Sequence, residues 1–266
     1  MTQVAYRIKN GKLASLTDNP THYCAGCEHG TLTRLLAAAM DGLGIREKTV
    51  MIDSVGCSVL AYNYLNCDHI VAAHGRAPAV ATGLKRVHPE LTIFTVQGDG
   101  DAASIGLLEL VYAAKRATPI SVFLVNNAIY GMTGGQMAPT TLQGQITTTT
   151  PFGRDAHLTG TELDASKLLA SMDGAAYVKR ASLAVQEMSS PRGPVYTIRN
   201  LLDAKKSVEN AFKVQALGGF SFVEFLSTCS INWKMPVLDS KRFVNETIVK
   251  KFPLGVYRDT FGVEKQ

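Results

Sequence analysis

The chain has 266 residues, of which 46% are hydrophobic, with a mean hydropathy of +0.06; this suffices for one large α/β core and is high enough that we expect a buried subunit interface. Its 27 Lys and Arg are scattered among 22 Asp and Glu, which argues against a concentrated nucleic-acid-binding surface. The first residues contain no apolar leader and no eighteen apolar residues run together, so we expect a cytoplasmic protein without membrane contact.

The first part of the chain predicts a loop, a helix, a strand and a second helix. Apolar residues from Leu32 to Met40 recur at helical spacing after a loop that holds Cys24–His29. Val50–Val55 is a short β-prone run, and the small-residue segment Ala79–Val87 is typical of a closely packed helix. These elements alternate as they do in α/β proteins.

The most regular segment predicts a strand-helix-strand crossover. Leu91–Gln97 is expected as a buried strand, Gly98–Gly100 as a turn, Ala102–Arg116 as a helix and Ile120–Val125 as a second buried strand. Such crossovers build parallel sheets, with ligands beyond the carboxyl ends of the strands. The sequence therefore predicts an open, mostly parallel sheet flanked by helices.

The remainder predicts a long loop followed by further α/β elements. Residues 128–160 are rich in Gly, Thr, Pro and Gln and are too many for an idle connector. Later elements are expected at Leu163–Met172 (helix), Ala176–Arg180 (strand), Ala204–Leu217 (helix) and Ser221–Leu226 (strand), before a segment from Cys229 to Gln266. We expect residues 1–200 to form the ligand-binding α/β domain and residues 201–266 to complete that domain with an interface tail.

Small and polar residues follow two of the predicted strands. Gly98–Gly100 follows the first strand, and Asn126–Asn127 follows the second. Glycines let backbone N–H groups approach phosphate oxygens, and Asp99 offers a hard oxygen ligand for Mg²⁺. Asn127 adds an amide oxygen, and the backbone carbonyl of Ile129 is a third candidate ligand.

These residues have simpler explanations when each is taken alone. An Asp after a strand often caps a helix, and an Asn pair often forms a turn. The spacing is more specific, because Asn127 stands 28 positions after Asp99. A Gly-Asp-Gly and an Asn-Asn at that separation resemble the signature of thiamine-diphosphate enzymes, which implies thiamine diphosphate and Mg²⁺ at this edge of the sheet.

The cysteines suggest a second site. Cys24 and Cys27 form a Cys-x-x-Cys before the first helix, Cys57 follows a strand, and Cys229 follows the last predicted strand. Four thiolates fit one zinc ion, which spacing alone favours, or an iron-sulfur cubane, and a bare Cys-x-x-Cys also fits a dithiol redox pair. An odd total of five favours a reducing compartment over a disulfide framework.

Four short segments, Cys24–Cys27, Val55–Ser58, Ala73–Pro78 and Tyr130–Gln136, together resemble the β subunits of 2-oxoacid:ferredoxin oxidoreductases. The resemblance covers most of the chain. It implies that a 4Fe-4S cluster is held by Cys24, Cys27, Cys57 and Cys229. Cys67 has no counterpart among those ligands and is expected to be a packed or idle thiol.

The same resemblance implies the residues around the cofactor. Asp99, Asn127 and the Ile129 carbonyl would hold Mg²⁺. His74, taken alone, would be interpreted as a buried structural histidine. Met132 stands where pyruvate-specific relatives tend to have Asn, which suggests a larger or different oxoacid. The residues expected to line thiamine diphosphate are Val55, Gly56, Cys57, Ser58, His74, Gly75, Arg76, Ala77, Gly98, Gly100, Asp101, Gly131 and Met132.

The implied reaction is the CoA-dependent oxidative decarboxylation of a 2-oxoacid of the 2-oxoisovalerate or 2-oxoglutarate class, with electrons passing to ferredoxin. Thiamine enzymes need a carboxylate near the aminopyrimidine ring, and in this family that glutamate belongs to the α subunit. No glutamate of this chain stands in a matching motif. We therefore assign no catalytic side chain here and expect activity only with an α subunit; γ and δ subunits are further candidate partners.

Three other functions fit part of the sequence. A non-oxidative thiamine decarboxylase or synthase subunit would keep Asp99 and Asn127 but has no use for four converging cysteines. A zinc-stabilised structural subunit would bind zinc and no thiamine. Gly134-Gly135-Gln136 also occurs in peptide-chain release factors, but the flanking residues differ and no basic ribosome-binding surface accompanies the tripeptide.

Overall fold

Strands and helices alternate through most of the computed structural model, which describes residues 8–9, 12–188 and 194–265. Short 3-10 turns lie at Arg46–Lys48, Val59–Asn63 and Val263–Lys265, and π turns lie at Asp101–Ile105 and Val244–Ile248. The regular elements, in chain order, are β1 (Ile8–Lys9), β2 (Lys12–Leu13), α1 (His29–Leu43), β3 (Thr49–Asp53), β4 (Asp68–Val71), α2 (Ala77–Val87), β5 (Thr92–Gly98), α3 (Leu107–Lys115), β6 (Ser121–Asn126), α4 (Ala156–Thr159), α5 (Ala165–Ala170), β7 (Ala175–Ser182), β8 (Gln186–Met188), β9 (Val195–Thr197), α6 (Arg199–Ala216), β10 (Phe220–Leu226), α7 (Ser230–Trp233), α8 (Val237–Phe243), α9 (Val249–Lys251) and β11 (Gly255–Asp259).

Seven strands form the main sheet, in the order β11-β7-β10-β6-β5-β3-β4. All neighbours are parallel except β11, which runs antiparallel to β7 at one edge. The predicted mostly parallel α/β sheet is therefore confirmed. Because the parallel strands share one direction, the segments after β3, β5, β6 and β10 emerge at the same edge of the sheet.

Helices cover both faces of the sheet. On one face, α1 and α6 pack on strand residues such as Phe94 and Phe123, and Phe212 of α6 meets both rings edge-on with centroids 5.6 Å away. On the other face, α2, α3 and α5 bury small residues such as Ala81 and Ala113 against the strands. Burial on both faces explains why the central strands read as continuous apolar runs. No helix in the described part of the chain is both long and apolar enough to cross a bilayer.

The segment after β5 differs from the prediction. We predicted a turn at Gly98–Gly100 and one continuous helix from Ala102, but Gly98 ends the strand and the chain then turns directly into helix. A π turn occupies Asp101–Ile105, and α3 begins only at Leu107. The Gly106 amide donates to the Asp101 carbonyl at 2.8 Å, five residues back, which widens this turn.

Three later predictions also needed adjustment. Helix α5 is shorter than predicted, because Asp164 caps it by accepting from the Lys167 amide at 3.0 Å. Helix α6 begins five residues earlier than predicted, at Arg199. The sequence indicates no separate elements from Cys229 onward, whereas the structure has α7, α8, α9 and β11 there.

Candidate functional site

A cavity of about 360 Å³ opens at the edge of the sheet where β3, β5 and β6 end. The three predicted magnesium ligands, Asp99, Asn127 and Ile129, lie in its wall. Nine of the residues predicted to line thiamine diphosphate also line it: Val55, Gly56, Cys57, His74, Gly98, Gly100, Asp101, Gly131 and Met132.

Four other residues predicted to line the cofactor do not line this cavity. Ser58 is buried and its hydroxyl donates to the Val96 carbonyl at 2.9 Å. The Gly75 amide donates to Asp101 at 2.7 Å, and Arg76 forms an ion pair with Glu109 of α3. Ala77 is fully buried at the start of α2. Of these four residues, Ser58, Gly75 and Ala77 are buried, whereas Arg76 is exposed.

Asp99 is a buried carboxylate at the end of β5. Its Oδ1 accepts from the Gly100 amide at 2.8 Å, and its Oδ2 accepts from the Thr140 hydroxyl at 2.6 Å. Burial raises the pKa of Asp99 to about 7, against the hydrogen bonds that favour the anion. A charged oxygen with so little water around it suits a cation in the cavity. Thr140, which the sequence did not single out, orients this carboxylate.

Asn127 has an unsatisfied oxygen. The residue is 6% exposed, and its Oδ1 is buried without a hydrogen-bond partner among the described residues. Such an oxygen costs free energy unless another group binds it. Together with the Asp99 carboxylate, it meets the preference of Mg²⁺ for oxygen ligands. The residues present therefore fit a magnesium ion.

The turn that carries Asn127 and Ile129 is held firmly. Ala128, at its centre, has a φ of 55°, a left-handed conformation that costs energy for a non-glycine residue. The Ala128 amide donates to Asn126 Oδ1 at 3.1 Å, and its carbonyl accepts from the Thr141 hydroxyl at 2.7 Å. These bonds hold the backbone of the turn whose neighbouring residues, Asn127 and Ile129, line the cavity.

A buried ion pair supports that turn from inside the sheet. Arg180 and Glu224 are both fully buried, with Arg180 Nε donating to Glu224 Oε2 at 2.8 Å. The other carboxylate oxygen of Glu224 accepts from Asn126 Nδ2 at 2.7 Å. Asn126 thereby connects the charged pair to the backbone of the turn, which fixes the orientation of its side chain.

Asp101 is a buried residue of the cavity wall that accepts several hydrogen bonds. It is 2% exposed and accepts from the side chains of Ser54 and Gln97 as well as from the Gly75 amide. It also pairs with Nδ1 of His74, whose side chain is 46% exposed at the cavity wall. This exposure contradicts the alternative interpretation of His74 as a buried structural histidine. With Nδ1 engaged, Nε2 is the ring nitrogen left for a group bound in the cavity.

Four of the five cysteines lie close together beside the cavity. A side-chain carbon added at Gly131 would lie 3.3 Å from Cys57 Sγ and 3.6 Å from Cys229 Sγ. Burial raises the pKa of Cys27 to about 12 and that of Cys57 to about 11, and neighbouring sulfurs, including Cys24, add to both shifts. The structure thus gathers the four cysteines that the resemblance selects.

The cysteine loop is joined to the segment that follows β10. The Thr228 hydroxyl donates to the Gly26 carbonyl at 2.8 Å, and the Ser230 hydroxyl donates to the Ala25 carbonyl at 3.3 Å.

Within residues 12–188 and 194–265, no three His, Cys, Asp or Glu side chains are grouped so as to hold one metal ion. The four sulfurs are therefore neighbours, but they are not arranged around the position of one metal ion.

Cys67 lies apart from the other four cysteines. It is partly buried against the core, with its sulfur 3.6 Å from Nε2 of His69. Nδ1 of that imidazole lies 2.7 Å from Asp53 Oδ2. The position of Cys67 agrees with its expected absence from the cysteine group.

Sequence reasoning missed several residues of the cavity wall. His29 is 4% exposed with Nδ1 3.1 Å from Cys27 Sγ, and burial lowers the pKa of His29 to about 4. Tyr130 packs where a side chain at Gly100 would be, since a carbon there would lie 2.3 Å from the ring. Tyr130 is next to Ile129 in the sequence, and His29 is two positions after Cys27. This adjacency to predicted ligands was the sequence signal that could have identified both residues. The other missed residues are Ser104, Ile105 and Thr133.

The cavity is suited to a phosphorylated cofactor and an apolar substrate group. Gly98, Gly100 and the oxygens of Asp99 and Asn127 line it beside the ends of β5 and β6. Met132 and Ile105, which are 53% and 48% exposed, add apolar surface. Among the described residues, the lining contains no lysine and no arginine. Phosphate charge would therefore have to be met by a metal ion, by backbone N–H groups or by another chain.

Comparison with known proteins gives consistent results. Residues 54–224 match the family described as "Thiamine pyrophosphate enzyme, C-terminal TPP binding domain". The "Ketoisovalerate oxidoreductase subunit VorA" of Methanothermobacter thermautotrophicus is 45% identical over 90% of this chain and 48% of that protein. The "2-oxoglutarate synthase subunit KorB" of Archaeoglobus fulgidus is 33% identical over 87% of this chain and 78% of that protein. The chain thus spans about half the length of the VorA relatives it matches.

A solved structure shows the same fold. It is described as a 2-oxoglutarate:ferredoxin oxidoreductase from Magnetococcus marinus with 2-oxoglutarate, coenzyme A and succinyl-CoA bound. The superposition has a TM-score of 0.73 at 25% sequence identity and covers 92% of this chain and 84% of that one. The matched family region contains Asp99, Asn127 and Cys57, while Cys24, Cys27 and Cys229 lie outside it.

Proposed function

This chain belongs to the β subunits of the 2-oxoacid:ferredoxin oxidoreductases, and on that premise we propose that it binds thiamine diphosphate with Mg²⁺ for the CoA-dependent oxidative decarboxylation of a 2-oxoacid. One observation carries the proposal. The buried Asp99 carboxylate and the unpartnered Asn127 oxygen lie at neighbouring strand ends, in one cavity, inside the matched thiamine-binding region.

The chain's own residues would bind and orient the cofactor. Asp99, Asn127 and the Ile129 carbonyl would hold Mg²⁺, which in turn would bind the diphosphate oxygens. Asp101 fixes His74 at the wall, where its free ring nitrogen can hold or move a proton. Thiamine diphosphate, when bound, supplies the carbon nucleophile and electron sink for decarboxylation.

We also propose that the four gathered cysteines hold a 4Fe-4S cluster. Cys57 lines the cavity and Cys229 is close to its Gly131 wall, so a cluster there would adjoin the cofactor. A cubane is larger than one ion, so its thiolate ligands stand further apart than the ligands of a single zinc. A cluster carries single electrons, as transfer to ferredoxin requires, whereas zinc has no redox chemistry.

For the substrate we propose a branched-chain oxoacid such as 2-oxoisovalerate in preference to 2-oxoglutarate. The second carboxylate of 2-oxoglutarate favours a cationic partner, and no lysine or arginine lines the described cavity. Met132 and Ile105 offer apolar contact instead. The VorA relatives at 45% identity are named for ketoisovalerate.

A second chain is needed to complete the site. The acidic residues of the described lining are Asp99 and Asp101, and both are already committed to hydrogen bonds. Neither is a free carboxylate for the aminopyrimidine ring of thiamine. We therefore propose an α subunit that supplies this glutamate and closes the cavity, with ferredoxin as the electron acceptor and γ and δ subunits as further candidates.

The test is the cofactor content of the anaerobically purified protein co-expressed with its genomic neighbours. We expect stoichiometric thiamine diphosphate and, from this chain, about four iron and about four sulfide ions. The Cys229→Ala complex should lose that iron, whereas Cys67→Ala, which removes the thiol outside the group, should retain it. Thiamine without iron or sulfide would indicate a non-oxidative thiamine enzyme, and zinc without thiamine would indicate a structural subunit.

A further inference from the structure

Asn232 connects the cysteine group to the wall of the cavity. Its Nδ2 donates to the Gly131 carbonyl at 2.8 Å and to Cys229 Sγ at 3.3 Å. An amide nitrogen carries two N–H groups, so both bonds can form together. Because Gly131 lines the cavity, one side chain contacts both the predicted cluster ligand and the predicted cofactor wall.

The surroundings keep Asn232 in this position. It lies in α7, where the Trp233 amide donates to the Cys229 carbonyl at 2.9 Å. The loop that carries Gly131 packs over it, since a carbon added at Gly135 would lie 3.2 Å from Asn232 Cβ. The amide is thus placed by the fold of two separate segments.

His29 makes a similar contact with another cysteine. Its Nδ1 is 3.1 Å from Cys27 Sγ, and the ring stacks on Tyr23 with centroids 5.4 Å apart. A thiolate that binds iron has no proton to give, so the nitrogen in contact with it must be the donor. Two of the four sulfurs therefore have a side-chain N–H group directed at them.

We propose that Asn232 and His29 are positioning residues that set the reduction potential of the cluster, each donating an N–H···S hydrogen bond to one of its ligands. The proposal rests on the proposed function, because it requires the cluster. Reduction adds negative charge to the cluster, and hydrogen bonds to the sulfurs stabilise that charge. Asn232 additionally ties this tuning to the loop at the cofactor cavity.

The experiment is a redox titration of the assembled complex, followed by electron paramagnetic resonance. The signal of this cluster is identified as the one missing from the Cys229→Ala complex. We expect Asn232→Ala and His29→Phe each to shift its midpoint to lower potential, and the double variant to shift it further. Asn66→Ala and His88→Phe, which change an exposed amide and an exposed imidazole elsewhere, should leave it unchanged.

A second measurement needs no substitution. In a wild-type complex labelled with ¹⁵N-histidine, pulsed resonance should detect coupling between the reduced cluster and one histidine ring nitrogen. A cluster whose potential is unchanged in both variants, and which lacks that coupling, would overturn this inference and leave the proposed function intact. A wild-type complex without a signal dependent on Cys229 would overturn the inference together with the proposed cluster.

Discussion

Asp99 gives the most direct test of the metal site, because burying a carboxylate costs free energy when no counter-charge is near. With its pKa raised to about 7, a proton and a metal ion compete for it near neutral pH. Bound Mg²⁺ would resolve that competition in favour of the anion. We therefore expect Asp99 to contribute to metal binding more than to the stability of the fold.

Asp99→Asn should weaken Mg²⁺-dependent binding of thiamine diphosphate by about 100-fold, or roughly 3 kcal/mol, since the charged ligand is lost while the side-chain shape is kept. Titration calorimetry at fixed Mg²⁺ measures the change. The matched control is Asp18→Asn, which removes an exposed carboxylate paired with Lys12. Unchanged affinity in Asp99→Asn would remove this residue from the metal site.

At the scale of single residues, the sequence predicts the site residues whose positions follow from the strand directly before them. The Gly-Asp-Gly and Asn-Asn pairs each follow a strand, so their convergence depends only on the parallel sheet. The predicted lining roles of Arg76 and Ala77 depend on side-chain direction, which tertiary packing decides; in the structure Arg76 pairs with Glu109, and Ala77 is fully buried at the start of α2. Contacts such as Thr140 with Asp99 span 41 residues, and no local pattern indicates them.

Among the elements, the π turn after β5 shows a requirement for glycine. A carbon added at Gly106 would lie 2.5 Å from the Gly75 carbonyl oxygen and 2.6 Å from that of Asp101. Both are backbone atoms and cannot rotate away. The wide turn and the absence of a side chain let the loop before α2 approach the start of α3, which places Gly75 next to Asp101.

Gly106→Ala should therefore lower the free energy of unfolding by about 1–3 kcal/mol and weaken thiamine diphosphate binding, since the clash displaces the Asp101 turn. Gly83→Ala is the matched control in α2, where an added carbon meets nothing within 4 Å. That change should raise the free energy of unfolding by about 0.5–1 kcal/mol through helix propensity. Urea unfolding measures both; equal effects of the two substitutions would contradict the close approach.

His69 of β4 pairs with Asp53 of β3, and the strength of this pair should depend on pH. Burial alone would lower the pKa of His69, but the hydrogen bond and charge of Asp53, with a smaller effect of Cys67, raise it to about 10. A raised histidine pKa stabilises the fold fully below the unfolded value near about 6.5, and that stabilisation is lost as pH rises through about 10.

We expect His69→Gln to destabilise the protein by about 2 kcal/mol at pH 6 and by much less at pH 10. Thermal unfolding of both proteins across that range gives the difference directly. His88→Gln, at an exposed pair with Glu90, is the control and should show little effect at any pH. A difference between wild type and His69→Gln that grows with pH would show that the pair carries no charge.

Element positions were predicted best where periodicity is strong. The crossover from β5 to β6 alternates buried runs and a helix, and its strands were placed within one residue. The π turn could not be predicted, because it accompanies a close approach of Gly106 to Gly75, which are 31 positions apart in the sequence. The short C-terminal helices lack a clear period and rest on packing, as where Trp233 meets Phe243 with ring centroids 5.1 Å apart.

For the molecule as a whole, the proposed reaction requires a second chain, the α subunit. The isolated chain should bind thiamine diphosphate yet decarboxylate 2-oxoisovalerate at less than about one-thousandth of the rate of the complex, since no free carboxylate faces the aminopyrimidine ring. Release of carbon dioxide measures the rate, and adding the α subunit should restore it. Turnover by the isolated chain at the rate of the complex would contradict this prediction.

The overall architecture followed from composition and strand pattern, because a buried parallel sheet requires apolar strands linked by helices. The antiparallel edge strand β11 was not predicted. It pairs with β7 from the last twelve positions of the chain, and nothing local to Gly255–Asp259 indicates which edge it joins. Non-local pairing of this kind is decided by the assembled sheet.

The bond between Thr228 and Gly26 spans 202 residues, and this separation has a consequence in time. A ribosome adds about 5–20 residues each second, so Cys24 and Cys27 are synthesised roughly 10–40 s before Cys229. During that interval the first two thiols have no distal partner. Any group bound by all four cysteines can therefore acquire its complete set of ligands only after Cys229 has been synthesised, so its insertion follows the synthesis of strands β1 to β10.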